Sequence, residues 1–409
     1  MSIKKSLCGL ARRIGSTPPR RILLAAGVLA VAVSFILYMP VLGKGFYPGV
    51  TRDDEFVVNA VEPYGLARAW VYFHPDFWAQ HINERWLYYR PILLLSLAAD
   101  YALWGIRPPL SRCVNLLLHC LNVVLFAALV FGVLDGRAAA RRGALPVAAM
   151  AACLFLFLPA SAEPISWICA RGDLLCASFS LACVLTLMTW GKTGKARWAA
   201  LSLLLLLLAL GTKETCLVLP FVGAVAAVWM TQRPMRARLA VCLIMLCCGA
   251  AYLLLRAHAG TFLAPPNVGR NLPRSLRAFG YWISRPATTI VEAVEIRDFH
   301  RLDVEGLAQT AAFALLLLPN LGAAAASLGW KIIFYAPVAG FGILEPRYFY
   351  LPGMGSAALV ALTCWGGYAL CRRAAVHLAP VPFVAWAWIL ARYLSELTWN
   401  IHLWSRLLE

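Results

Sequence analysis

The feature that most constrains this chain is a succession of long stretches free of Asp, Glu, Lys and Arg, set between short clusters of basic residues. These stretches are Ile22–Gly43, Cys113–Leu134, Gly143–Ala162, Leu174–Gly191, Trp198–Thr212, Thr215–Gln232, Leu239–Leu255, Gly306–Trp330, Ile332–Leu344, Tyr348–Cys371 and Ala374–Ala391. About 20 apolar residues in a helix cross a ~30 Å hydrocarbon layer, and a helix satisfies its own backbone there. An all-α polytopic bundle of about 11 transmembrane helices follows. Ile332–Leu344 is short alone and borrows from the preceding stretch, which Pro319-Asn320 divides. With 61% hydrophobic and only 14% charged residues, against roughly 25% charged in soluble domains, an aqueous globular fold is excluded.

Charge sets the topology. Lys4, Lys5, Arg12, Arg13, Arg20 and Arg21 precede the first stretch, which is too long for a secretory signal core and reads as a retained span with the N-terminus inside. Pro91–Ile106 is apolar but short and contains Asp100. Reading it as an interfacial helix on the outer surface, rather than as a crossing, puts the basic segments 135–142, 192–197, 233–238 and 372–373 all inside. Of 19 Asp and Glu residues, only Asp135 then lies inside. The formal charge of +18 therefore encodes topology and not nucleic-acid binding. The whole chain, 1–409, forms a single transmembrane domain, with residues 44–112 and 256–305 as long outer loops. The 13 cysteines lie mostly in apolar segments, and Cys169, Cys176 and Cys183 form a helical stripe of packing residues, not a disulfide or metal framework.

The outer loops hold the chemistry-bearing groups. Asp53-Asp54-Glu55 follows the first span by about ten residues; adjacent carboxylates raise one another's pKa, and such a cluster is suited to take a proton from a hydroxyl or to hold a divalent metal. Phe73, Phe77, Trp78 and Trp86 form an aromatic anchor at the interface, and Arg90, within Tyr88-Tyr89-Arg90-Pro91, is shaped to grip a phosphate. Asn115, His119 and Asn122 share one helical face and bond neighbouring helices. Glu163, Arg171 and Asp173 sit together in a short loop. Lys213 and Glu214 occupy a tight outer turn, where the ammonium needs an anionic partner, Glu214 or a lipid phosphate. Arg347 and Tyr350 lie at the outer end of a later span. A phosphate-binding, acid-assisted site accounts for this one-sided convergence.

The order of these motifs resembles the GT-C membrane glycosyltransferases, and most closely the bacterial relatives of the protein O-mannosyltransferases that carry tetratricopeptide repeats. The similarity runs over most of residues 22–371; the repeat domain is absent here. What the resemblance implies is sugar transfer, with inversion, from a polyprenyl-phosphate donor to a hydroxyl of a protein, lipid or glycan on the outer face of a bacterial inner membrane. Asp53 or Asp54 would be the general base, Glu163, Arg171 and Asp173 would match the second-loop motif, and Lys213 and Arg347 would meet the donor phosphate. No nucleotide is needed. A transporter of lipid-linked sugars and a surface-polysaccharide polymerase or ligase, which would use the arginines of residues 270–301, stay open as alternatives.

Overall fold

The computed structural model describes residues 19–45, 60–81, 88–105, 107–136, 143–258, 311, 314–339 and 345–408, and among these no strand occurs. Six described helices are long and apolar enough to cross a membrane, or seven if one bent pair is a single span. The fold is therefore an all-helical polytopic bundle, as the apolar stretches imply.

Helix α1 (Pro19–Leu42) packs against α4 (Pro108–Asp135). Between them come a 3-10 turn (Ala69–Phe73), the short α2 (Pro75–His81) and α3 (Pro91–Trp104). Then follow α5 (Ala144–Leu156), α6 (Ala162–Ser166), α7 (Arg171–Thr193) and α8 (Ala196–Leu210). After the 3-10 turn Glu214–Val218 come α9 (Leu219–Trp229) and α10 (Met235–His258). The described chain ends with α11 (Leu321–Ala339), α12 (Tyr350–Ala374) and α13 (Val381–Leu407). Proline occupies the first turn of α3, α4, α9 and α13, where its missing N–H costs nothing. Gly194 ends α7 with φ +72°, a left-handed conformation that favours glycine.

Helix α3 lies across the ends of the bundle. Near its start Ile92 N–H donates to Gly211 O at 2.9 Å, beyond the end of α8, and two turns on Asp100 meets Arg171 at the start of α7. Both anchors belong to the same end of the bundle, so α3 does not traverse it. Asp100 fixes the far anchor, since a buried carboxylate needs a buried partner. The aromatic segment beside α3 is only partly at a surface: Trp70 and Phe73 are exposed, whereas Tyr72, Phe77 and Trp78 are buried, Trp78 Nε1 donates to Tyr72 O at 2.7 Å, and Tyr252 of α10 donates to Tyr89 O at 2.9 Å.

In α4, Asn115 Nδ2 donates to Pro164 O at 3.1 Å and Asn122 Nδ2 to Leu174 O at 3.0 Å, while His119 Nε2 lies 3.2 Å from Leu156 O. These three polar groups join helices, as their shared face predicts.

The stretches on either side of Lys331 share one helix, α11, with Lys331 buried within it and Pro319-Asn320 just before its start, which is the borrowing and division the sequence implies. Two other features differ from those expected. The last helix runs through Arg392 and Glu396 to Leu407, because these charges pair along it at 3.8 Å and so do not end it. Finally, Cys176 and Cys216 are joined as a disulfide with Cα atoms 6.3 Å apart, contrary to the purely packing role expected of Cys176.

Helices α11 and α12 approach most closely at Gly355. A Cβ there would fall 2.4 Å from Ser327 O and 2.9 Å from Lys331 Cβ. Backbone cannot yield as a flexible side chain can, so Gly355→Ala is expected to cost about 1–3 kcal/mol by overpacking. A lowered midpoint of thermal unfolding in detergent checks it; an unchanged midpoint would show that the two helices separate freely.

Candidate functional site

Seven of the expected site residues come together at the end of the bundle that α3 covers. Arg90, which precedes α3, makes a forked contact with Glu214: Nε reaches Oε1 and Oε2 at 3.3 and 3.1 Å, and Nη2 reaches Oε2 at 2.6 Å. Glu214 is shared, since Arg256 Nη1 of α10 lies 3.0 Å from its Oε1. Arg90 also stacks on Tyr88 at 3.8 Å. Burial works against the Arg90 charge, but Glu214, Tyr88 and Asp173 outweigh it and hold the guanidinium more firmly protonated than usual.

Beside this pair, Lys213 Nζ donates to both oxygens of Asp173, at 2.6 and 2.5 Å. The residues sit on separate elements: Asp173 in the first turn of α7, where the helix dipole favours an acid, and Lys213 just before the Glu214–Val218 turn. The Cys176–Cys216 disulfide lies three residues beyond each, so it binds together the two segments that carry the ion pair.

The third unit is Arg347 with Glu163. Arg347 Nη1 lies 3.3 Å from Glu163 Oε1, and the backbone N–H of Arg347 donates to Oε2 at 3.0 Å. Glu345 pairs with the same guanidinium. Arg347 lies over the Trp167 ring at 4.2 Å, and the Tyr348 ring is near both Arg347 and Lys213, 5.2 and 5.0 Å from its centroid. Trp167 Nε1 and Ser166 Oγ are buried with no hydrogen-bond partner among the described residues.

Arg171 is set differently. Nε donates to Asn115 Oδ1 at 2.7 Å, Nη1 to Ser96 at 3.3 Å, and Nη2 to Asp100 Oδ2 at 2.5 Å and Ser111 O at 3.0 Å. Its donors tie α3, α4 and α7 to one another, and it is 1% exposed, so it acts as a positioning residue. Tyr350 is likewise withdrawn: its hydroxyl meets His119 Nδ1 at 2.8 Å and Asn122 Nδ2 at 3.2 Å inside the bundle.

Asp53 and Asp54 lie outside the described residues, as do the arginines of residues 270–301. The chain leading to the acidic pair is nonetheless held at the site end. Arg112, fully buried, donates to the carbonyls of Lys44 and Gly45 and, at 2.7 Å, to Ser166 O. Sequence reasoning missed Arg112 and Arg256, which look like any basic residue at the end of an apolar stretch. Asp100 did give a signal, as a lone acid in an apolar segment. Among the described residues no group of three or more His, Cys, Asp or Glu is placed to hold a metal.

Each buried cation of the cluster has a carboxylate beside it, so an incoming anion would have to share a cation that is already paired. Two pairs of cations converge, Arg90 with Arg256 on Glu214 and Lys213 with Arg347 around the Tyr348 ring.

No family model matches the chain. It is 33% identical over 141 residues to the human protein O-mannosyl-transferase TMTC4, which covers 32% of this chain and 19% of that protein. It is 30% identical over 182 residues to the mouse protein O-mannosyl-transferase TMTC1, covering 42% and 18%, respectively, and 29% identical over 163 residues to the human TMTC1. The chain thus spans about a fifth of the length of these curated relatives. Weak, partial homology to protein O-mannosyl-transferases accordingly accompanies an all-helical membrane fold with a buried charged cluster at one end.

Proposed function

We propose that this chain is a glycosyltransferase that moves a sugar from a polyprenyl-phosphate donor to an acceptor hydroxyl, with inversion at the anomeric carbon. The observation that carries the reading is the convergence of Arg90, Glu163, Arg171, Asp173, Lys213, Glu214 and Arg347, drawn from separate segments, into one buried network at one end. The similarity to O-mannosyl-transferases supports sugar transfer as its chemistry.

In this reading the acceptor oxygen forms the new bond to the anomeric carbon while the bond from that carbon to the phosphate oxygen breaks. The acceptor proton passes to the carboxylate of Asp53 or Asp54. Lys213 and Arg347 stabilise the charge that develops on the departing phosphate, and their carboxylate partners keep them in place beforehand. The partnerless N–H of Trp167, beside Arg347, suits a sugar hydroxyl or a phosphate oxygen. The acceptor is a protein, lipid or glycan. By the positive-inside rule, the charged cluster faces outward across a bacterial inner membrane and the N-terminus lies inside.

Membranes containing the chain, supplied with a panel of labelled polyprenyl-phosphate sugars, are expected to release free polyprenyl phosphate and to label an endogenous acceptor. Movement of the labelled lipid between leaflets without a glycosylated product would overturn the reading and favour a transporter. Transfer only from a lipid diphosphate would favour the polymerase or ligase.

A further inference from the structure

A cleft of about 410 Å³ opens in the half of the bundle remote from the charged cluster. Its walls are the second half of α4 (Phe126 to Leu134), the end of α9 (Trp229, Met230), the start of α11 (Gly322, Ala323) and the middle of α12. Ser327, Trp330 and Trp229 are the lining side chains that carry an N–H or O–H; Ser327 Oγ donates to Ala323 O and Trp330 Nε1 to Leu351 O, each at 2.9 Å, and Trp229 stands exposed at the rim. Every other lining side chain is apolar or glycine, so the interior of the cleft suits an apolar occupant.

The cleft has a side mouth. Val225 and Trp229 of α9 and Gly322, Ala325 and Ala326 of α11 line it and are exposed; Trp229 is 82% exposed. Towards the charged cluster the gap is closed, since α11 packs on the Glu214–Val218 turn from which α9 begins. At this depth in a bilayer the molecules that meet the mouth are hydrocarbon chains. Small residues on α11 leave room for one.

The foot of α9 supplies the other half of a lipid site. Arg238 Nη1 donates to Val228 O at 2.9 Å, which sets its guanidinium at the end of α9, and Arg233 donates to Gly191 O and Lys192 O, each at 2.9 Å, at the adjoining end of α7. Arg236 is exposed beside them, and Lys192, Lys195 and Arg197 join the same end. Asp135 is the one acid described at that end. Basic groups at the mouth of a gap between helices favour an anionic head group.

We propose that this cleft binds an anionic phospholipid of the leaflet at the basic end, with one acyl chain between α9 and α11 and its phosphate at Arg233, Arg236 and Arg238. The site is independent of the sugar chemistry at the far end. Its leaflet follows from the depth of the cleft, and its head group from the arginines.

The test uses the full-length chain purified in detergent, mixed with vesicles of phosphatidylglycerol or phosphatidylcholine and examined by native mass spectrometry for retained lipid. The wild type is expected to keep phosphatidylglycerol preferentially. Arg236→Gln, which removes one exposed cation, is expected to reduce that preference about fivefold. Ala326→Phe, at the mouth, is expected to abolish retention of both lipids. Equal retention of the two lipids by the wild type, or an unchanged preference in Arg236→Gln, overturns the proposal, and neither result depends on whether Ala326→Phe folds. Stoichiometric displacement of the phospholipid by polyprenyl phosphate overturns it as well, since the cleft would then belong to a prenyl chain.

Discussion

Arg171→Met is expected to destabilise the folded chain by about 3–5 kcal/mol, the range for removing one partner of a buried ion pair. The substitution leaves Asp100, 6% exposed, without its counter-charge, and it strips acceptors on Ser96, Ser111 and Asn115 of their donor. A typical domain has only about 5–15 kcal/mol of stability, so a loss of this size removes much of the folded population. Arg171→Lys is expected to rescue little, because an ammonium on a flexible stem cannot serve the acceptors that the planar guanidinium reaches in one fork. The informative companion is Arg171→Met with Asp100→Leu, which removes both charges. That double variant is expected to be more stable than Arg171→Met alone, since no carboxylate is then buried unpaired. Unfolding midpoints of the purified proteins in detergent check both statements. An Arg171→Met protein that unfolds at the wild-type temperature would mean that Asp100 reaches water and that α3 is not held down by this pair.

The same pair marks where the fold was legible in the sequence and where it was not. In lipid a helix is apolar on nearly every face, so uninterrupted apolar length announces a helix without any periodicity. That is why α4, α7, α10 and α12 coincide closely with the expected stretches. The inference fails where a charge is assumed to end a span. Arg392 and Glu396 pair within α13, so neither marks a boundary. Asp100 shows the converse: a lone acid in an apolar segment announces a special position, but its partner, Arg171, could not be read.

Pairing was invisible for a simple reason. Arg90 and Glu214 are 124 residues apart, Glu163 and Arg347 are 184 apart, and Lys213 and Asp173 are 40 apart. Residue types at the ends of spans reveal that charge gathers on one face, but only packing decides which acid meets which base. Arg90 and Arg347 were expected to offer themselves to phosphate and Lys213 to meet Glu214 or a phosphate, whereas the structure pairs Lys213 with Asp173, Arg90 with Glu214 and Arg347 with Glu163. This arrangement holds the cations fixed in a low-dielectric setting, where an isolated charge would be too costly. It also limits how much extra negative charge the cluster can take without displacing an acid.

The largest effect on activity is expected from Asp53 and Asp54. Substituting Asn for whichever of the two serves as base is expected to lower kcat about 10²–10⁴-fold, the usual contribution of a positioned proton acceptor, while the other substitution leaves kcat within a few-fold of wild type. Asparagine keeps the shape and polarity of the side chain, so donor KM should stay nearly unchanged if, as proposed, Lys213 and Arg347 hold the phosphate, since neither substitution touches them. The described chain before the pair is held by Arg112, which takes the carbonyls of Lys44 and Gly45, and the described chain after it begins with buried Ala60 and Val61. Sugar transfer from polyprenyl phosphate in membranes is the measurement. Full activity in both single variants and in the double variant would remove these carboxylates from the chemistry and leave the paired acids, Glu163 and Asp173, as the groups to examine. A drop in one variant with unchanged KM would single out the proton acceptor among three neighbouring acids, a choice that the sequence alone leaves open because Asp53, Asp54 and Glu55 are chemically alike and adjacent.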